Sequence, residues 1–185
     1  PLGPESAARH MIRCNIAWEM AENAGRPPLD WSGRAPFPFT RESSIRIDSE
    51  GRFWHEGALV DHPKLALAMA TWISRHPQDG RYVLENGYDW CWITVDDTPF
   101  LVRSVRIDGT SLVLTLSDGT EERMDPHHLR LDDAGNLRCE VKHAAKGGPY
   151  PAKLDRYALQ SLSEHIREDG DGFVLTVGDA VVRLS

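Results

Sequence analysis

The sequence has few cysteines and no long hydrophobic run. Its three cysteines, Cys14, Cys91 and Cys139, are odd in number and widely spaced, which is unlike the paired pattern of a disulfide-stabilised secreted domain. No apolar stretch approaches the roughly 18 residues that a membrane-spanning helix needs, and the chain does not open on a charged and then apolar signal segment. We therefore expect a cytoplasmic protein without a membrane partner.

Clusters of basic residues are missing as well. Lys and Arg total 21 against 28 Asp and Glu, giving a formal net charge of −7, and no more than two basic residues stand in a row. Since nucleic-acid binding normally depends on a concentrated basic surface, we expect no nucleic-acid partner. The hydrophobic fraction of 41% over 185 residues is enough to build a core, in one domain or in two small ones.

Residues 1–43 differ in pattern from the rest of the chain. Apolar residues at helical spacing predict a short helix over 12–24, which a glycine and two prolines end. Residues 26–43 are proline-rich and irregular, so we predict an arm that wraps the body of the protein. The large apolar residues of this arm are Leu29, Trp31, Phe37 and Phe39. Because His10-Met11 is typical of a cloning junction, we expect residues 1–10 to be foreign to the protein.

Two later segments repeat one order of elements at a constant offset of 84 residues. Ile45-Arg46-Ile47-Asp48 and Leu129-Arg130-Leu131-Asp132 each predict a strand that enters a glycine-containing turn, and an apolar residue begins each return strand. A helix then follows, from Pro63 to His76 in the first segment and over 154–167 in the second, and a further strand follows each helix. We predict an internal repeat, with the first lobe over 44–86.

Between these segments lies a predicted antiparallel meander, so residues 87–185 hold the meander and the second lobe. Its strands are predicted over 90–95, 100–107 and 112–116, and Asp-Gly pairs mark the hairpin turns. The fold class is therefore α+β: two small repeat-related lobes, each with a β-hairpin, a helix and a strand, plus the central meander and the N-terminal arm.

Two motifs carry a resemblance to a known family. The run from Ile45 to Gly57, IRIDSEGRFWHEG, resembles the opening motif of the bacterial domain-of-unknown-function family 1285 (DUF1285), and Val95 to Leu101, VDDTPFL, is similar to its second hallmark. The resemblance covers roughly residues 37–185. It implies two small α+β domains with repeated structural motifs and a suggested role in signalling, and it implies no enzyme activity.

Polar clusters near the second hairpin offer little support for a metal or a catalytic centre. His127, His128, Cys139 and His143 fall within 17 residues, but close ligand pairs such as Cys-x2-Cys are missing, and adjacent histidines on a strand face opposite ways. The pairs Asp96-Asp97 and Asp132-Asp133 lie where turns are predicted, and aspartate is favoured there for structural reasons. We expect no metal, no cofactor and no catalytic residues.

The strand Trp90–Asp96 carries the strongest binding signal. By alternation, Trp90, Trp92 and Asp96 share one face, and two large indoles on a polar face suit an interface or a ligand patch. The simpler alternative is that the arm, with Trp31, Phe37 and Phe39, or the apolar side of the first predicted lobe's helix covers them. With Trp54 of the first motif added, the candidate binding residues are Trp54, Trp90, Trp92 and Asp96.

These observations favour a non-catalytic binding or regulatory module, in signalling, that recognises a protein or a small ligand. The alternative is an enzyme that acts on a small acidic or phosphorylated substrate through histidine and aspartate near the second hairpin. The two differ in an observable way. An enzyme should bring His127, His128, Asp132 and His143 into one pocket, whereas a binding module should expose a tryptophan patch. Oligomeric state stays open.

Overall fold

A computed structural model describes residues 29–32, 40–170 and 172–184 of the chain. The helix predicted over 12–24, most of the arm, and Cys14 lie outside the described residues. The chain divides into two compact units, Pro1–Asp30 and Trp31–Ser185, and nearly all described residues belong to the second. No helix within the described ranges is long and apolar enough to cross a bilayer.

The second unit consists mainly of short strands, and the α+β class is confirmed. The strands are β1 (Arg46–Ile47), β2 (Phe53–His55), β3 (Ala58–Leu59), β4 (Ile73–Arg75), β5 (Tyr82–Glu85), β6 (Trp90–Trp92), β7 (Thr94–Val95), β8 (Phe100–Asp108), β9 (Ser111–Leu116), β10 (Glu121–Met124), β11 (Arg130–Leu131), β12 (Leu137–Val141), β13 (Tyr150–Leu154), β14 (Ile166–Asp169), β15 (Gly172–Val177) and β16 (Ala180–Leu184). The helices are α1 (Pro63–Thr71), α2 (Arg156–Leu162) and two 3-10 turns, η1 (Pro126–His128) and η2 (Ser163–His165).

The strands form four sheets, with orders β3-β2-β1-β7, β10-β9-β8-β13-β12-β11, β4-β5-β6 and β14-β15-β16. The predicted meander is the β8-β9-β10 part of the six-stranded sheet, and its β8–β9 pairing runs from Val102↔Leu116 to Asp108↔Ser111. Two pairings are parallel, β1 with β7 and β8 with β13. In the six-stranded sheet β11 stands at one edge, so that among the described strands the second hairpin has a sheet neighbour only on its β12 side.

The two predicted hairpins, β1–β2 and β11–β12, form with the same turn. In the first, the Asp48 amide donates to the Arg52 carbonyl and the Gly51 amide donates to the Asp48 carbonyl. In the second, the Asp132 amide donates to the Asn136 carbonyl and the Gly135 amide donates to the Asp132 carbonyl. Both glycines have positive φ, 71° for Gly51 and 80° for Gly135, a conformation that glycine adopts without the strain of a Cβ.

Similar elements follow each hairpin. After β2 come β3, α1 and the antiparallel sheet β4-β5-β6, and after β12 come β13, α2, η2 and the antiparallel sheet β14-β15-β16. The order contains more strands than the sequence pattern predicts, because the short strands β3 and β4 carry too few residues to show a period of two.

Both helices are shorter than predicted. Helix α1 begins at Pro63 as expected but ends at Thr71. The sequence pattern extended this helix to His76, whereas Ile73–Arg75 forms a strand that pairs with β5. Trp72 is the half-buried C-terminal cap of this helix. Helix α2 starts after Asp155, whose carboxylate accepts from the amides of Tyr157 and Ala158, because the preceding residues form β13.

The core lies between the six-stranded sheet and the elements packed on it. Ala158 and Leu162 of α2 are fully buried, and this helix packs mainly against β8. The largest fully buried side chains are Ile47, Met69, Phe100, Leu101, Leu112, Leu114, Leu116, Leu129, Leu137, Tyr150, Leu162 and Leu175. Burial of such side chains contributes roughly 1.5–3 kcal/mol each, so this core fixes the strands that carry the polar sites.

Candidate functional site

Four aromatic rings form a compact group, which we call the aromatic cluster: Trp31, His76, Trp90 and Trp92. Trp31 stacks on Trp90, with ring centroids 5.4 Å apart and an interplanar angle of 23°. Trp92 meets Trp90 edge to face at 4.9 Å, which shows that the two indoles project to the same side of their strand. The His76 ring lies within 5.3 Å of all three indoles, and its Nε2 is 3.3 Å from the Trp31 carbonyl oxygen.

Three cations cap the aromatic cluster. The Arg81 guanidinium lies 3.5 Å from the centroid of Trp92, Arg41 lies 4.7 Å from that of Trp90, and the Lys146 ammonium lies 4.4 Å from that of Trp31. Cations over indole faces are attracted by the ring quadrupole. Trp90 is only 3% exposed, while Trp92 is half-buried. A ligand at Trp90 would therefore have to displace Trp31, whereas Trp92 keeps an accessible part.

The other two predicted binding residues, Trp54 and Asp96, lie on either side of Arg46. The Arg46 guanidinium forms an ion pair with Asp96 and lies 5.6 Å from the centroid of the half-buried Trp54 ring. The Trp54 indole N–H donates to Asp48 Oδ2 at 2.8 Å. Trp54 and Asp96 therefore both contact Arg46 of the first hairpin. Binding at these residues stays a prediction.

A cleft of about 410 Å³ lies beside the second hairpin. Its polar lining includes His128, Arg130, Arg138, Glu140 and His143. A second hollow of about 270 Å³ shares three of these residues, His128, Glu140 and His143, and its apolar lining is Leu114, Met124 and Val141. A volume in this range suits a small molecule.

Strand pairing explains why these charges share a wall. Arg130 on β11 lies opposite Arg138 on β12, and Glu140 follows two residues later, so all three side chains point to the same face. Arg138 is already engaged: its Nη1 donates to Asp97 at 2.6 Å and its Nε donates to Asp132. Its positive charge is therefore balanced within the protein.

Arg130 differs from Arg138 in its partners. Its Nη1 donates to the carbonyl oxygens of Leu129, at 2.9 Å, and of His127. These bonds fix the guanidinium but leave its charge without a carboxylate partner among the described residues. The Glu140 carboxylate, which is exposed, likewise has no ion-pair or hydrogen-bond partner within the part of the chain that the structure describes. The cleft thus presents one cation that backbone carbonyls hold in place, Arg130, and one exposed anion, Glu140.

The histidines and aspartates predicted near the second hairpin are brought together only in part. His128 and His143 line the cleft. His127 instead contacts Asp125, with 2.7 Å between Nδ1 and Oδ1. Asp132 accepts from the amides of Ala134 and Asn136. No group of three His, Cys, Asp or Glu suited to a metal ion occurs over the described ranges, and the absence of a bound metal stays a prediction.

Two titratable groups near the cleft have strongly shifted pKa values. The hydrogen bond from Arg138 and the amide of Asn136 hold the pKa of Asp132 well below its ordinary value, so this carboxylate is a weak base. Burial raises the pKa of the Cys139 thiol to about 12, and the nearby Glu122 and Glu140 charges add to this effect. Neither group is suited to proton transfer or nucleophilic attack at neutral pH.

Comparisons with known proteins identify the fold. Neither a protein-family model nor a curated protein matches the sequence. Among solved structures, a DUF1285 family protein from Silicibacter pomeroyi is similar over 91% of this chain and 92% of its own, with a TM-score of 0.55 and 18% identity. A second, from Shewanella baltica OS155, is similar over 66% of this chain and 91% of its own, with a TM-score of 0.52 and 18% identity.

The chain has the fold of the DUF1285 proteins. The resemblance seen in the IRIDSEGRFWHEG and VDDTPFL motifs is confirmed at this level. An identity of 18% shows a shared DUF1285-like fold and carries no activity or ligand with it. Sequence reasoning missed Arg130 and Glu140 as site residues. The signal available for Arg130 was its place in the repeated apolar-Arg-apolar-Asp motif, where Arg46 is its counterpart.

Proposed function

We propose that the protein is a non-catalytic binding module that recognises a small ligand in the cleft beside the second hairpin. The observation that carries this proposal is the Arg130 guanidinium, which backbone carbonyls fix beside a cleft of about 410 Å³ and which has no carboxylate partner among the described residues. A guanidinium held by backbone carbonyls loses little side-chain entropy when it binds, and such preorganisation favours recognition. Because binding without turnover suits regulation, we extend the proposal to a regulatory role in signalling.

Incubation of the protein with a panel of neutral, anionic, cationic and zwitterionic small molecules tests this function. We expect at least one class to bind in ligand-observed NMR, to lose affinity in Arg130→Gln, and to remain chemically unchanged after prolonged incubation. The matched control is Arg106→Gln, which removes the same charge from an exposed arginine outside the cleft lining. Binding that is equal in both variants would refute the proposal.

The enzymatic alternative has partial geometric support. His128 and His143 share the cleft, as an acid–base pair would, but Asp132 is bound to Arg138 and to the turn amides. Product formation in the same incubation, lost in His128→Asn or His143→Asn, would favour an enzyme over a binding module.

A protein partner at the predicted tryptophan residues is a second proposal, supported by the accessible part of Trp92 beneath Arg81. Aromatic and arginine side chains are frequent in the central residues of protein interfaces. We expect Trp92→Ala to weaken capture of such a partner while Trp54→Ala lowers stability, because Trp54 donates to Asp48. Equal capture by the wild type and Trp92→Ala would contradict this proposal.

We further propose that residues 45–84 and 129–175 are two copies of one motif. The matching turn bonds around Asp48 and Asp132 and the similar order of later elements support this proposal. Replacing residues 48–52 by the residues at 132–136 tests it. We expect a cooperatively unfolding protein, since the two turns share backbone bonds; loss of the folded state would contradict equivalence.

A further inference from the structure

The ligand class follows from two charges of the cleft, Arg130 and Glu140, that have no ion-pair partner in the part of the chain that the structure describes. Arg130 and Glu140 lie diagonally across the β11–β12 pair, with Arg138 directly opposite Arg130. Diagonal neighbours of this kind have Cα atoms about 7–8 Å apart. The two side chains form no ion pair with each other in the described structure, so a ligand with two opposite charges would find a partner for each.

In the first hairpin, the arginine equivalent to Arg130 has a carboxylate partner within the protein. Arg46, the counterpart of Arg130, forms an ion pair with Asp96 of the segment that follows β7. Strand β7 pairs with β1 there, whereas no described strand pairs with the outer side of β11. The second hairpin thus keeps the arginine, but no segment within the described ranges supplies a carboxylate to it.

We propose that the cleft binds a small zwitterion, and that an α-amino acid with an apolar side chain is the class that fits. The ligand carboxylate pairs with the Arg130 fork, whose Nε and Nη2 are not used by the Leu129 and His127 carbonyls. The ligand ammonium pairs with Glu140. This inference rests on the proposed binding function and specifies its ligand.

The second hollow accounts for the apolar side chain. It adjoins the cleft through His128, Glu140 and His143, and Leu114, Met124 and Val141 contribute apolar lining. Its remaining lining residues are charged and have partners: Glu122 accepts from the Lys142 amide, Arg123 pairs with Asp108, and Asp125 contacts His127. A ligand held by its charges at Arg130 and Glu140 is positioned to place a branched aliphatic group there. Glycine has no such group, so we expect it to bind more weakly than leucine.

Calorimetric titration with four leucine-related probes tests the inference. Leucine carries both charges, 4-methylpentanoate lacks the ammonium, leucinamide lacks the carboxylate, and glycine lacks the side chain. We expect leucine to bind at least about tenfold more tightly than either singly charged probe, the effect of losing one charge-assisted hydrogen-bonded pair. Phosphoethanolamine, a zwitterion with a phosphate in place of the carboxylate, shows which of the two anionic groups the cleft prefers.

Variants assign each charge to its residue. Arg130→Gln should lower the affinity for leucine by at least about tenfold, so that leucine binds this variant no more tightly than leucinamide does. Glu140→Gln should lower the affinity for leucine to that for 4-methylpentanoate. Arg130→Lys keeps the positive charge but not the two parallel N–H donors of the guanidinium. Its affinity for leucine should lie between those of the wild type and Arg130→Gln. Arg106→Gln and Glu168→Gln are the charge-matched controls, and circular dichroism verifies that each variant is folded.

The outcomes separate the inference from the proposed function. Tight binding of 4-methylpentanoate that depends on Arg130 but not on Glu140 would contradict a zwitterionic ligand, while the proposed ligand-binding function of the cleft would stand. Tighter binding of phosphoethanolamine than of leucine would overturn the amino-acid class. No binding of any probe, or equal losses in the controls, would overturn the inference; the broader panel then decides the proposed function independently.

Discussion

The first and second hairpins share one aspartate-centred turn and differ in its surroundings. In both, the aspartate accepts from the amides two and four residues later, at Glu50 and Arg52 in the first and at Ala134 and Asn136 in the second. The side chain six residues after the aspartate also donates to it. That side chain is the Trp54 indole in the first hairpin and the Arg138 guanidinium in the second.

The surroundings decide what each hairpin is available to do. The Asp48 side chain is 7% exposed and that of Asp132 is 22% exposed. The first hairpin is covered by β7, and its Arg46 is paired, while the second lies at a sheet edge and directs Arg130 into the cleft. The same turn therefore serves packing in the first hairpin, and in the second it positions the arginine that we propose binds a ligand.

The largest expected effect comes from removing the turn aspartates. Asp48→Ala deletes the acceptor of the Glu50 and Arg52 amides, the Arg52 side chain and the Trp54 indole. We expect a loss of about 3 kcal/mol in the free energy of unfolding, because four hydrogen bonds to one buried, ionised acceptor are lost together. Asp132→Ala should cost less, since water reaches that turn. Urea denaturation measures both; an equal or larger loss for Asp132→Ala would break the comparison.

The turn glycines should show a smaller difference. Both have positive φ, but a Cβ at Gly51 would lie 2.9 Å from Leu101 Cδ1, whereas one at Gly135 would meet nothing within 4 Å. We expect Gly135→Ala to cost about 1 kcal/mol from backbone strain alone, and Gly51→Ala about 2 kcal/mol because Leu101 must also shift. Thermal and urea unfolding of the two variants measures both losses of unfolding free energy. A loss for Gly51→Ala no larger than that for Gly135→Ala would contradict the expected contact with Leu101.

Acid should weaken the contacts that fix both hairpins. Burial alone would raise the pKa of Asp48, but the indole of Trp54 and the amide of Arg52 outweigh it and lower this pKa. Burial is likewise outweighed at Asp97, where Lys153 and Arg138 lower the pKa. With folded pKa values below the unfolded value of about 3.9, the unfolded state takes up protons first.

The stability from these carboxylates is therefore present above about pH 4 and is lost as pH falls through the folded pKa values. Unfolding free energies measured between pH 6 and pH 2 should decline most steeply below pH 4. Asp48→Asn and Asp97→Asn should each flatten this decline. An unchanged slope in both variants would show that other groups cause the acid sensitivity.

The turns could be predicted from sequence because their bonds are local. Asp48 and Gly51 lie three residues apart, and the same spacing recurs at Asp132 and Gly135, so turn chemistry alone locates both hairpins. The end of α1 could not be found in this way. The helical period extends past Thr71, but pairing of Ile73 with the distant Leu84 gives a strand instead. Tertiary pairing overrides local periodicity there.

The candidate site was harder to predict for the same reason. The cleft combines side chains from η1, β11, β12 and the segment after β12, which strand pairing brings together. The sequence indicated that His128 and His143 were close, but it could not show that Arg138 is neutralised by Asp97, 41 residues away. This contact, together with the one to Asp132, distinguishes Arg138 from Arg130, which has no carboxylate partner among the described residues.

The smallest expected effect concerns the indole that distinguishes the first hairpin. Trp54→Phe removes the N–H that donates to Asp48 but keeps an aromatic face for Arg46 and Arg52. Because Asp48 retains its other three donors, we expect a loss of only about 1 kcal/mol, the net contribution of one hydrogen bond. The pKa of Asp48 should rise towards its ordinary value, and NMR titration of its carboxyl carbon would follow this.

Trp72→Phe provides the matched control, because Trp72 is also half-buried and its indole N–H has no hydrogen-bond partner among the described residues. That variant should leave the pKa of Asp48 unchanged. If Trp54→Phe also left it unchanged, the indole would not be what holds Asp48 ionised, and Trp54 would be free to act as the binding residue that the sequence predicted. A raised pKa would instead assign Trp54 to the turn, so that a partner reaching Trp54 must also weaken the bond that stabilises the hairpin.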